Sequence, residues 1–123
     1  MLKKRRLGKT KLSVSEIGLG GWQLGGLTTI NKIATTYGNV SEKTADKIIK
    51  QAIELGINVF DTADVYSLGN SERRLGKILK HNRKNFHIFT KAGDIPTYSN
   101  GVPFDTDLSY HHLIAALDRS LKR

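Results

Sequence analysis

A chain of 123 residues is long enough to bury a core of its own, and it contains no cysteine. That absence excludes disulfides, thiolate catalysis and cysteine-based zinc sites, and nothing points to an oxidising compartment, so a cytoplasmic setting is expected. The formal charge is +9, and six of the 20 basic residues but none of the 11 acidic ones fall within the first eleven positions.

Those six are Lys3, Lys4, Arg5, Arg6, Lys9 and Lys11. Ser, Glu and Gly follow them where a secretory signal needs an unbroken apolar stretch, and no later segment approaches the run of about 18 apolar residues that a membrane span requires. The basic arm is interrupted by Gly8 and carries no aromatic residue for base stacking. It reads as a solvated hairpin over about residues 1–15, with neither nucleic acid nor membrane as a partner.

Beyond the arm, "SEIGLGGW" (15–22) reads as a short strand ending in glycines. From Ser41, "SEKTADKIIKQAIELG" sets Ala45, Ile48, Ile49, Ala52 and Ile53 at helical spacing, with Ser41 as N-cap and Gly56 as the stop. "INVF" is a β-branched and aromatic strand leading to Asp61. "SERRLGKILK" predicts a helix capped by Ser71 with Leu75, Ile78 and Leu79 facing inward, and Glu72 in its first turn suits the helix dipole. "FHIFT" is a further strand leading to Lys91. The Gly/Pro/Asp-rich stretch "AGDIPTYSNGVPFDTD" (92–107) reads as loop, and "SYHHLIAALDRSLKR" closes with a helical pattern through Leu113, Ile114, Leu117 and Leu121.

A hairpin followed by three β-α units with short connections argues for parallel strands in an α/β fold. Doubly wound sheets and (β/α)8 barrels both fit that order, and three units cannot close an eight-stranded barrel. No composition break marks a second domain within residues 1–123.

Asp61 and Lys91 stand 30 positions apart at the ends of successive strands, and in parallel sheets both emerge at the carboxyl-terminal edge, where ligand and catalytic groups collect. On neighbouring strands they meet as an ion pair. Tyr66, five residues past Asp61, can bring its phenol to that pair, where a cation stabilises the phenolate and fits the phenol for general-acid work on a carbonyl oxygen. Taken singly, Asp61 is a turn-former, Tyr66 a packing aromatic and Lys91 a solvated strand end; together they form a constellation. Trp22, after Gly20 and Gly21, either walls a ligand pocket or caps the core. "GLGGWQLGG" is no dinucleotide fingerprint, because no helix starts where the phosphate would sit. His81, His87, His111 and His112 lack metal spacing with any acid, so no metal is expected.

The stretch "GINVFDTADVYSLGNSERRLG" (56–76) resembles the signature of the aldo-keto reductases, in which an aspartate, a tyrosine five residues on and a downstream Glu-x-x-Leu-Gly recur. "FTKAG" (89–93) is similar to that family's lysine strand, and "LGKTKLSVSEIGLGGWQLGG" (7–26) to its N-terminal hairpin and first barrel strand. The nearest likeness is to bacterial members related to potassium-channel β subunits. The resemblance implies the N-terminal part of a (β/α)8 barrel, preceded by a hairpin and holding three β-α units. It implies an NADPH-dependent reduction of a small aldehyde or ketone without metal or flavin. Tyr66 would be the proton donor, Lys91 the residue that tunes it and Asp61 the partner of Lys91, while Gly21, Trp22 and Asp61 would lie near the NADP(H) cofactor. The family often has glycine where this chain has Ser67. Its fourth catalytic residue, a histidine ending the fourth strand, would fall beyond position 123, and His111 and His112 precede that strand. A chain of this extent would leave strand edges uncovered, so self-association through them, as a non-catalytic binding module, is the alternative expectation.

Overall fold

The computed structural model describes residues 2–36, 38–97 and 103–123. Strands β1 (Lys4–Arg6) and β2 (Ser13–Ser15) form the expected antiparallel hairpin, with Arg5 opposite Val14. Strands β3 (Leu19–Gly20), β6 (Val59–Asp61) and β7 (His87–Phe89) make a three-stranded parallel sheet in the order β3-β6-β7. The parallel α/β architecture read from the alternating pattern is therefore present. Between β3 and the first helix lies a small hairpin of β4 (Thr29–Ile30) and β5 (Ile33–Ala34) that the sequence reading did not anticipate.

Helix α1 (Glu42–Glu54) begins as expected. The Ser41 hydroxyl accepts the amide of Thr44, and Gly56 takes up a left-handed φ of 94° after the helix. Its inward face is Ala45, Ile49 and Ala52; Ile48 sits at the rim, 38% exposed. Helix α2 (Asn70–Leu79) starts differently from the prediction. Gly69, at φ 84°, is its N-cap, and Ser71 lies inside the first turn, fully buried. The reason is a competing bond: the Ser71 hydroxyl donates to the Gly21 carbonyl at 2.7 Å and accepts from Thr62 Oγ1 at 2.9 Å, so it cannot serve as a cap. Leu75 and Leu79 face inward as predicted, and Ile78 packs at the margin of the same core.

Phe60, in the central strand, is wholly buried and meets Phe86 edge-on at 5.8 Å; Ile49, Leu75, Leu79, Ala45 and Leu24 close over it. The core thus lies between one face of the sheet and helices α1 and α2. At the amino end of β6, Asn58 ties the first hairpin down. Its side chain accepts from the Ser15 amide at 2.7 Å and donates to the Ser13 carbonyl at 2.9 Å. The cationic hairpin is therefore fixed at the end of the sheet opposite Asp61.

The stretch 92–107, expected as loop, contains an antiparallel pair, β8 (Asp94–Pro96) with β9 (Phe104–Thr106); residues 98–102 lie outside the described residues. Pro96 and Pro103, which argue against strand, hid this pairing in the sequence. Helix α3 (Tyr110–Lys122) is capped by the Ser109 hydroxyl on the amide of His112, and its buried residue is Ala116. Leu113, Ile114, Leu117 and Leu121, which carry the helical pattern, are 36–77% exposed. Among the described residues no helix is long and apolar enough to cross a membrane.

Candidate active site

Strands β6 and β7 are hydrogen-bonded neighbours in register, Asp61 opposite Phe89. The ladder continues past the strands, with Thr62 N–H donating to the Phe89 carbonyl and Asp64 N–H to the Lys91 carbonyl. Lys91 is thereby carried back toward Asp61. Its Nζ donates to Asp61 Oδ1 at 2.6 Å and to the Thr62 carbonyl at 2.7 Å. Both side chains of the pair are about half exposed, so the pair is valuable for position more than for stability. Partial burial works against charge on Lys91, but the hydrogen bond to Asp61 and the nearby Tyr66 and Asp61 groups outweigh it and hold its pKa above the ordinary lysine value.

Tyr66 is delivered by a tight turn after β6. Its amide donates to the Ala63 carbonyl, and the next three residues, Ser67, Leu68 and Gly69, all adopt positive φ before α2 begins. A left-handed serine is unfavourable without compensation; here the Ser67 hydroxyl donates to the Gly26 carbonyl at 2.7 Å. The turn sets the Tyr66 ring with its centroid 5.2 Å from Lys91 Nζ and stacks it on Trp22 at 6.2 Å and 28°.

Trp22 comes from the loop after β3. Its indole N–H donates to the Thr35 carbonyl at 2.9 Å, which leaves the ring 41% exposed beside Tyr66. The residue lines a small cavity together with Tyr66. Gly21 donates its N–H to the Asp61 carbonyl at 2.7 Å, and a Cβ there would come within 2.7 Å of Ser71 Oγ and 3.0 Å of that carbonyl. Only a residue without a side chain fits so close an approach. Asp61, Tyr66, Lys91, Gly21 and Trp22 are thus brought to one edge. A cleft of about 260 Å³ opens there, lined by Tyr66, Lys91, Ala63, Asp64, Ala92 and Asp94.

Sequence reasoning missed Asp64, Asp94 and Phe104. Asp64 is buried, and its Oδ1 has no hydrogen-bond partner among the described residues. Burial, then the Glu72 carboxylate, push its pKa above the ordinary aspartate value, while Arg123, Arg119 and His112 pull back only part of that shift. Glu72 is more than a dipole match: it accepts from Thr90 Oγ1 at 2.6 Å and pairs with Arg123 at 2.7 Å in a setting where its side chain is 6% exposed. No group of three or more His, Asp or Glu that could hold a metal occurs among the described residues.

Known proteins share this arrangement of chain. The family model described as "Aldo/keto reductase family" matches residues 16–123. A Schizosaccharomyces pombe protein that carries the provisional name voltage-gated potassium channel subunit beta is 40% identical over 97% of this chain and 32% of its own length. The uncharacterized oxidoreductase YqkF of Bacillus subtilis is 40% identical over 76% of this chain and 26% of its own length. Among solved structures, the aldo-keto reductase AKR11C1 of Bacillus halodurans in its holo form overlays with a TM-score of 0.78 at 33% identity, covering 99% of this chain and 36% of that one. The chain therefore spans about a third of the length of the relatives it matches, and its three parallel strands are an arc of their (β/α)8 barrel. On the family match and the structural overlay together, the chain belongs to the aldo/keto reductase family.

Proposed function

We propose that the chain supplies the proton-donating side of an oxidoreductase that reduces aldehydes and ketones with NADPH. The observation that carries this reading is the Asp61–Lys91–Tyr66 cluster at the carboxyl edge of adjacent parallel strands. Lys91 is anchored by Asp61 and by the Thr62 carbonyl, so its charge is fixed beside the phenol rather than swept through solvent. A carbonyl oxygen entering the 260 Å³ cleft would meet the Tyr66 hydroxyl. The phenol gives its proton to that oxygen, and Lys91 stabilises the phenolate left behind.

The residues present suit a nicotinamide cofactor. The exposed Trp22 ring offers a planar wall, a Cβ at Gly20 would meet nothing within 4 Å, and Gly21 brings backbone close to Asp61. Trp22, the Gly20–Gly21 backbone and Asp61 would hold its nicotinamide end. When bound, NADPH supplies the hydride that goes to the carbonyl carbon. The chain's own share is orientation, exclusion of water by Trp22 and Tyr66, and the proton.

The test places residues 16–123 of this chain in the Bacillus halodurans reductase, replacing the matching segment, and follows carbonyl-dependent oxidation of NADPH. Turnover should persist in the chimera and fall by roughly 10²–10⁴-fold on Tyr66→Phe. Turnover indifferent to that substitution removes Tyr66 from the chemistry.

A further inference from the structure

Glu72 carries a carboxylate whose side chain is only 6% exposed, yet it neither caps α2 nor belongs to the proton-donating cluster. A charge taken out of water is costly unless its lone pairs are matched. Two donors match them here: Thr90 Oγ1 donates to Glu72 Oε1 at 2.6 Å, and Arg123 Nη1 donates to Oε2 at 2.7 Å. Each leads back to the candidate active site.

Thr90 stands between Phe89, the last residue of β7, and Lys91. The carbonyls of Phe89 and Lys91 accept from the amides of Thr62 and Asp64, so the strand pairing runs on past Thr90. Side chains alternate along such a segment. Lys91 accordingly reaches toward Asp61, while Thr90 turns to α2 on the other face. Arg123 also donates to the Asp64 carbonyl at 3.2 Å, and the Ser71 N–H donates to the Tyr66 carbonyl at 3.3 Å. The bonds close a circuit: Tyr66 to Ser71 and its neighbour Glu72, Glu72 to Thr90 and the adjoining Lys91, Lys91 to Asp64, and Asp64 through Arg123 back to Glu72.

What such a circuit supplies is position. The Lys91 side chain is half exposed, and a lysine is a point charge on a flexible stem, so where its ammonium rests depends on where its backbone is held. Misplacement by about 1 Å can cost on the order of a hundredfold in rate. We propose that Glu72, acting through Thr90, is a positioning residue for Lys91: it holds the end of β7 against the first turn of α2, so that the ammonium stays beside the Tyr66 phenol. The proposal rests on the reductase reading for what Lys91 does there, and it adds what keeps Lys91 in place.

Thr90 is itself exposed, so Thr90→Val removes the donor at little risk to folding and leaves Glu72 paired with Arg123. The variant is made in the chimera with the Bacillus halodurans reductase and assayed with NADPH and 4-nitrobenzaldehyde as the carbonyl probe. Thr90→Val should lower kcat about tenfold with KM unchanged, and Thr90→Ser, which restores the hydroxyl, should keep kcat within about twofold of the parent. In a Lys91→Met background, followed in single turnover at high enzyme concentration, adding Thr90→Val should change the rate by less than about twofold, because no ammonium remains to be placed. Parent kcat in Thr90→Val overturns the proposal, since the bonds of Lys91 itself would then suffice. A further tenfold loss on adding Thr90→Val to Lys91→Met overturns it as well, since the hydroxyl would then act without the lysine. Neither result touches the reductase reading, which stands or falls on Tyr66→Phe.

Discussion

Asp64 bears a poorly solvated charge beside the cleft. Its Oδ1 is buried without a hydrogen-bond partner among the described residues, and burial followed by Glu72 raises its pKa above 3.8. Between that ordinary value and the raised one, the folded chain retains a proton that the unfolded chain has released. Stability from Asp64 is therefore complete below pH 3.8 and is lost as pH rises through the folded-state pKa. Asp64→Asn keeps the shape and removes the charge, so the variant should exceed the parent in stability at neutral pH, with a flatter dependence as pH rises above 3.8. Urea midpoints across that range measure it; curves that run parallel contradict the assignment. The neighbouring Glu72 differs because Arg123 and Thr90 compensate its burial. Loss of one partner from such a pair leaves an unmatched buried charge.

At the scale of elements, β6, α1 and α2 carry the fold, while α3 is attached more lightly. Leu75 is 1% exposed against Phe60 and Ile49, whereas Leu121 is 77% exposed. Leu75→Ala should cost about 2–5 kcal/mol through lost burial and the cavity left behind, and Leu121→Gln less than about 0.5 kcal/mol. Thermal or urea unfolding of the two variants compares them, and a large loss from Leu121→Gln would show that α3 buries its apolar face in solution. The same contrast explains what was legible beforehand. Helix α1 could be read from Ser41 and Gly56 because its period, cap and stop agree. The apolar face of α3 was equally legible as a pattern, but a pattern states that a face is suited to burial, not that a partner covers it. Strands β4 and β5 span two residues each, too short for any alternation to register.

Across the described residues, the Asp61–Tyr66–Lys91 cluster and the basic hairpin lie at opposite ends of the sheet. Asn58 fixes the basic hairpin at the amino end of the strands, while Asp61, Tyr66 and Lys91 gather at the other. The strand-end positions and spacing of those three residues made them legible, since parallel neighbours necessarily bring such residues together. The β8–β9 pairing was not legible, because Pro96 and Pro103 interrupt a stretch rich in glycine and aspartate. Nor was the seam between the β3 loop and α2. Along it Ser71 bonds Gly21, Asn70 bonds Gly25, Ser67 bonds Gly26 and Arg74 bonds Leu24, each side chain to a backbone carbonyl. A Cβ on Gly25 would overlap Ser67. The consequence is hereditary as much as mechanical: residues 21–26 and 67–74 cannot drift independently, and a side chain gained on one bank of the seam demands one lost on the other. Gly25→Ala should destabilise by about 1–3 kcal/mol, and adding Ser67→Gly should return part of that loss, a non-additivity readable in a double-mutant cycle. A glycine at one of these two positions makes room for a serine at the other.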